Sequence, residues 1–404
     1  MLITNDKKID ATLEKFYNRY NKYNTKVLET LGNVIKQFDG LTPSQAHQLA
    51  QELRIGYDLN ELQLELSRIS GKSVEDVNKL LDKVAKENVE FSEVYYKAKN
   101  KEYVKYEDNE PLQDLVESIK MQTNETFVNL AQSKNTGFVI EDNDGNKTFK
   151  TIPQVYNDLI DEAVYQVSTG VEDYQSAMRN VTRQLADSGV KIHEEKVAYE
   201  NGYNKRIDSA VRQDVLTGLR QVNIGVQQEI GDDLDANGIE VSFHVPCADD
   251  HWGINGKQYK ARQDEDLDQL LDRINSKLDR PIGTMNCTHF VFSIIYGVQE
   301  ANYSKEYIRK QKQLSKQTTT YNGKKYTPYE ATQVQRKLET AIRQQKDRQI
   351  IARASGDSAG ISNAQAKITQ LTDEYNNFSK SMGLDTYKNR LVVSGYNRLK
   401  SYDK

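Results

Sequence analysis

The stretch Ile9-Asp-Ala-Thr-Leu13-Glu-Lys-Phe16-Tyr17-Asn-Arg-Tyr20-Asn-Lys-Tyr23 decides the class of the fold. Ile9, Leu13, Phe16, Tyr20 and Tyr23 recur at spacings of three and four, which lays one apolar stripe along a helix. The polar residues between them fall on the other side, so this helix buries one face. Working outward, residues 7–135 read as successive helices. Thr42-Pro43-Ser44-Gln45 predicts a helix start, with Thr42 as N-cap, Pro43 in the first turn and Gln45 closing a capping box. Ser73-Val74-Glu75-Asp76 predicts another start, with Val77, Leu80, Leu81 and Val84 on one face. From Tyr95 to Glu110 the chain is rich in Tyr, Lys and Glu and weakly periodic, which suits a long helix bridging two bodies. Leu112 to Gln132 resumes the helical pattern.

The pattern changes at Thr136. Phe138-Val139-Ile140 and Thr148-Phe149-Lys150 flank Asp142-Asn143-Asp144-Gly145-Asn146, a hairpin signal in which Gly145 supplies φ > 0. Helices are expected over about 154–168, 171–188 and 206–234. Ile239 to His244 alternates like a half-buried strand, Leu267 to Leu278 reads as a short helix, and Phe290 to Tyr296 as a buried strand. Helices follow over Pro328 to about Ala354 and over Ala364 to Ser381. The expected class is mainly α: long N-terminal helices, a small embedded α+β unit (239–298) and a C-terminal long-helix segment. The expected domains are an N-terminal helical region (1–110), a central region holding the α+β unit (111–300) and a basic helical region (301–404).

Composition narrows the function classes. The 404 residues are 37% hydrophobic and 28% charged, with 24 Tyr, 10 Phe and only 6 Pro. Wholesale disorder is excluded by the aromatic content. No run reaches the ~18 apolar residues of a membrane span, and the N-terminal residues carry no apolar signal segment. Two Cys make no disulfide framework, so synthesis in a reducing compartment is expected. The net charge of -4 predicts no dominant field for nucleic acid. From Lys305 to Arg353, however, 13 Lys or Arg stand against 4 Asp or Glu, a local excess of +9. Such a stripe either is a solvated helix face or touches phosphates, with Arg336, Lys337, Arg343 and Lys346 as the contacts.

Chemistry-bearing residues converge on one segment. Of five His and two Cys, His244, Cys247, His251, Cys287 and His289 fall within residues 244–289. Thiolate and imidazole together suit zinc, which is borderline soft and takes a tetrahedral set. Cys-x-His is tight for two ligands of one ion, and Asp249 or Asp250 could orient the His251 ring. The alternative is core packing, with both Cys as small hydrophobes and the His rings hydrogen-bonded. A Cys287–His289 nucleophile pair is not favoured, because in a strand the two would share a face without bringing ring nitrogen to sulfur. Asn255-Gly256-Lys257 lacks the flanking residues of a P-loop and reads as a tight turn.

Several blocks resemble the phage minor capsid protein 2 family, within the wider set of phage head-morphogenesis proteins. They are Asn129-Leu130-Ala131 with Thr136-Gly137-Phe138, and Val167-Ser-Thr-Gly170-Val-Glu-Asp-Tyr174-Gln-Ser-Ala177. Next come Ile207-Asp208-Ser-Ala210-Val211-Arg212 with Val215-Leu216-Thr217-Gly218-Leu-Arg-Gln221, then His251, Gly256-Lys257, Gly283 and Asn286-Cys287-Thr-His289. The last is Tyr326-Thr327-Pro328-Tyr329-Glu330-Ala331-Thr332-Gln333 with Gln335-Arg336 and Leu338-Glu339. Together they span roughly residues 115–355. The resemblance implies a virion component present in few copies, made in the host cytoplasm and placed in the capsid interior or at the portal vertex. It implies action in head assembly or DNA ejection, portal or major capsid subunits as partners, and no enzyme activity. The apolar helix faces equally fit a second copy of the chain. The family pattern has a polar or basic residue at Cys247, so His251, Cys287 and His289 are the better carried-over ligands. The alternative function is a metal-dependent enzyme or effector carried in the virion, with Asp249, Asp250 or Glu300 as its acid or base.

Overall fold

A computed structural model describes residues 6–396 apart from 56, 131, 132, 143, 172, 195–202, 285, 286 and 288. Residues Ala131, Asn143, Glu172, Asn286 and Thr288 of the blocks above therefore lie outside the described residues. In chain order the elements are α1 (Asp6–Phe38), α2 (Pro43–Leu53), α3 (Tyr57–Lys99), α4 (Glu110–Leu130), β1 (Thr136–Glu141), β2 (Lys147–Thr151), α5 (Ile152–Ser168), α6 (Tyr174–Ser188), β3 (Lys191–Glu194) and β4 (Tyr203–Arg206). They continue with α7 (Ile207–Asp233), β5 (Gly238–Val241), β6 (Gln258–Lys260), α8 (Leu267–Asn275), β7 (Val291–Ile294), α9 (Lys305–Leu314), β8 (Thr319–Tyr321), β9 (Lys324–Tyr326), α10 (Pro328–Ser355) and α11 (Ser358–Met382). The fold is mainly α-helical, as expected.

Local chemistry explains most element ends. Thr42 accepts from the Gln45 N–H while the Gln45 side chain accepts from the Thr42 N–H, the reciprocal box that opens α2. Thr151 and Gln154 do the same for α5. Two expected boundaries are corrected. No helix starts at Ser73: α3 runs straight through it. The buried positions Leu62, Leu66, Ile69, Ser73, Val77 and Leu80 follow each other at helical spacing, so fully buried Ser73 is a member of the stripe and not its cap. Nor is 95–110 one helix. Asn100 takes φ 55, and the Lys101 N–H returns to the Tyr96 carbonyl at 3.0 Å, which closes α3 in a Schellman turn. Asn322-Gly323, with φ 47 and 78, turns the β8–β9 hairpin, a signal that the helical reading of that region passed over.

The chain divides into two compact units, each made of three segments. One comprises 14–72, 127–211 and 334–404. Its sheet is antiparallel in the order β2-β1-β3-β4; the expected hairpin forms as β1–β2, and its register sets Phe138 opposite Lys150 and Ile140 opposite Thr148. Phe16, Tyr20, Phe38, Tyr156 and Phe378 are fully buried in its core. Helices α1 and α10 approach closely at Gly32, where a Cβ would stand 2.6 Å from the Ala354 Cβ and 2.9 Å from the Ile351 carbonyl oxygen. A polar cluster is sealed in the same unit. Arg206 donates to Asp347 at 2.8 Å and pairs with Asp208 at 3.4 Å, and both carboxylates are fully buried. Asn24 donates to Asp347 at 3.2 Å and accepts the Val190 N–H at 2.8 Å.

The other unit comprises 1–13, 73–126 and 212–333. Its three-stranded antiparallel sheet has the order β6-β5-β7. Ile239, Val241, Leu267, Leu270, Ile274, Ile282 and Val291 form the core between sheet and α8, and Cys287 belongs to it. Helix α7 is tied to β7 by Asn223, which accepts the Val291 N–H at 3.3 Å, and by the Gln227 carbonyl, which accepts from the Ser293 hydroxyl at 2.5 Å. Ahead of α8, Glu265 accepts from the Arg273 guanidinium at 2.6 and 2.9 Å and from the Arg262 N–H at 2.7 Å. The Arg273 hydrogen bonds, followed by the Arg262 N–H, hold the Glu265 carboxyl well below the usual range, at about 2. Because its folded value is lowered, its contribution is complete above the unfolded value of about 4.5 and is lost as pH falls toward about 2. Thermal melts should show wild type above Glu265→Gln at pH 7, with the gap closing between these two values.

Candidate metal centre

His251 sits in a 3-10 turn, Asp249–Gly253, after β5. Cys287 and His289 sit in the connection that leads into β7 and not in a strand. The reading that kept their ring nitrogen and sulfur apart is therefore corrected. Cys287 Sγ lies 3.5 Å from His289 Nδ1 and 3.5 Å from His251 Nδ1, and the two Nδ1 atoms are 3.3 Å apart. All three residues are buried, at 3%, 7% and 3% exposure in chain order. Use of Nδ1, the nitrogen nearer the backbone, is what lets a Cys-x-His pair converge.

The tautomers follow from the partners. His251 Nε2 faces the Arg280 carbonyl at 2.9 Å, and a carbonyl only accepts, so Nε2 carries the proton. His289 Nε2 faces Asn255 Oδ1 at 3.2 Å. The orientation of that amide is set on both sides: Asn255 Nδ2 donates to the His244 carbonyl at 2.7 Å, and Oδ1 accepts the His244 N–H at 2.8 Å. His289 Nε2 must therefore donate too. Both Nδ1 atoms are left as bare acceptors aimed at each other and at sulfur. The sulfur itself accepts the His289 N–H at 3.4 Å. Burial pushes the Cys287 thiol up, but once a ring also takes a proton at Nδ1, its hydrogen bond to the sulfur, together with the Gly283 N–H, outweighs burial and brings the thiol down to about 5. Hydrogen bonding to Cys287 raises His251, whereas burial lowers His289.

Neighbouring candidates play other parts. Cys247 is buried but outside the trio. Its thiol, pushed up to about 12 by burial, faces the Ala248 carbonyl at 3.4 Å. Cys247 and Asp249 instead line a cleft of about 340 Å³ with Trp252, Lys312 and Glu330, and none of the trio lines that cleft. Asp250 is held by Arg280 at 2.6 and 3.2 Å and lies 3.5 Å from His251 Nε2. His244 Nε2 meets the Ser242 hydroxyl at 2.9 Å, and Glu300 is exposed. Asn255 and the Arg280 carbonyl were missed. Asn255 carried the signal of a turn before Gly256 (φ 71), and a backbone acceptor carries none.

In α10, Arg336 and Lys337 are exposed. Arg343 donates to the Tyr17 hydroxyl at 3.3 Å and to the Arg390 carbonyl at 3.4 Å. Lys346 donates to the Leu391 carbonyl at 2.5 Å and stands over the Tyr396 ring at 4.8 Å, and burial pushes it below the usual lysine range. These two cations face their own chain. Among the described residues, no helix is long and apolar enough to cross a membrane.

No curated protein and no solved structure matches the chain. The blocks that surround the trio, together with the helices on both sides of it, fall inside residues 4–380, which the family model described as phage minor capsid protein 2 matches, so the chain belongs to the phage minor capsid protein 2 family.

Proposed function

We propose that the protein is a structural component of a tailed-phage head, present in few copies near the portal vertex, and that it acts in head assembly or DNA ejection. The family match over residues 4–380 carries this reading. Other head proteins are the partners it implies, with portal and major capsid subunits foremost. Support for partner packing comes from α3, where Phe91, Val94 and Tyr95 stand at helical spacing with 50%, 61% and 37% exposure. An enzyme would need its reactive groups in an open concavity, and the cleft beside Cys247 excludes His251, Cys287 and His289 from its walls. A structural role therefore fits the site better than catalysis.

The test is a phage whose copy of the gene carries an early stop codon. Particles grown with the protein supplied from a plasmid should contain it at a small fraction of the major capsid subunits, cross-linked to portal subunits. Particles grown without it should be defective in assembly or in delivering DNA. Its absence from complemented, infectious particles would sink the reading.

A further inference from the structure

We propose that His251 Nδ1, Cys287 Sγ and His289 Nδ1 bind one zinc ion, which ties the turn after β5 to the segment entering β7.

The geometry carries the assignment. Zinc takes nitrogen at about 2.0–2.1 Å and sulfur at about 2.3 Å, so tetrahedral angles put two nitrogens about 3.3 Å apart and nitrogen about 3.5 Å from sulfur. The three separations here are 3.3, 3.5 and 3.5 Å, one face of that tetrahedron. Chemistry agrees with distance. With both Nε2 protons committed to carbonyl oxygens, two bare nitrogen lone pairs and a sulfur converge in a buried space. A single thiol proton can satisfy only one of those nitrogens. A shared cation satisfies all three donors at once. The set of two imidazoles and one thiolate favours zinc over the oxygen-seeking calcium and magnesium.

The carbonyl of Arg280 and the amide of Asn255 are the outer partners that hold each ring in its ligating tautomer. Among the described residues no fourth His, Cys, Asp or Glu atom joins the group, so these three are the ligands assigned to the ion. His251 and Cys287 are 36 residues apart, and α8 lies between them. The ion thus closes a long loop, and the energy of binding becomes energy of folding for that unit.

The test is metal content by elemental mass spectrometry on the full-length protein purified from zinc-containing medium. Wild type should carry about one zinc per chain, and chelation should lower its thermal midpoint by several degrees. After chelation, added cobalt should produce the absorption of a tetrahedral thiolate complex. Cys247→Ser should keep both metal signals, while Cys287→Ser and His289→Gln should lose them. Should those two variants fail to fold, the wild-type stoichiometry and cobalt spectrum still decide. Folded wild type that takes up neither metal overturns the proposal. So does full binding in Cys287→Ser, or loss of binding in Cys247→Ser.

Discussion

Replacing Arg206 by methionine should lower the unfolding free energy by about 3–5 kcal/mol, the range for removing one partner of a buried ion pair. Arg206 is 8% exposed, and Asp208 and Asp347 are fully buried beside it. Burial opposes charge on the guanidinium, but the two carboxylates outweigh it, so Arg206 stays ionised. Burial holds Asp347 above the usual carboxylate range, whereas Arg206 and then Arg343 overcome burial and hold Asp208 below it. Without Arg206 the two acids face each other, offset only in part by Arg343 and, at Asp208, by Lys191. Asp347 keeps one neutral donor, Asn24 at 3.2 Å. Urea denaturation of the two proteins checks the loss. Adding Asp347→Asn to Arg206→Met should recover part of it, because the second change removes one uncompensated charge. Equal midpoints for wild type and Arg206→Met would show that the cluster is not sealed from water.

The second large effect is expected at Tyr20, in the stretch that decided the fold class. Its side chain is fully buried, its ring centroid lies 6.5 Å from that of Phe127, and its hydroxyl meets the Ser70 hydroxyl at 3.3 Å. Tyr20→Ala removes the ring and leaves a cavity, so about 3–5 kcal/mol should be lost. Tyr20→Phe keeps the ring and leaves Ser70 without that partner, so the loss should be about 1 kcal/mol. The same urea titration separates the two. If both variants lose the same amount, the hydroxyl pair and not ring packing dominates at this position.

Period and capping chemistry were legible because they are local. The stripe from Ile9 to Tyr23, the boxes at Thr42 and the hairpin around Gly145 each depend on residues within a few positions of one another. The misreadings were failures of local signals to rank themselves. Ser73 looks like a cap, yet its place on the buried stripe of α3 makes it a core position. The weak period after Tyr95 did not disclose that Asn100 would turn left-handed and end the helix. There Tyr96 donates to Asp233 at 2.8 Å, a partner far away in sequence.

By itself, the sequence determined a mainly α chain and gathered His244, Cys247, His251, Cys287 and His289 into one segment, because residue type and spacing carry that information, while its blocks resembled the family whose model matches residues 4–380. Only the tertiary structure decided which donors converge. It placed His251 against Cys287 and His289, left Cys247 on a separate cleft wall, and turned Arg343 and Lys346 toward their own chain. The physical reason is that a ligand set, like a buried ion pair, is defined by distances of 3 to 4 Å between residues that spacing along the chain leaves free to lie anywhere.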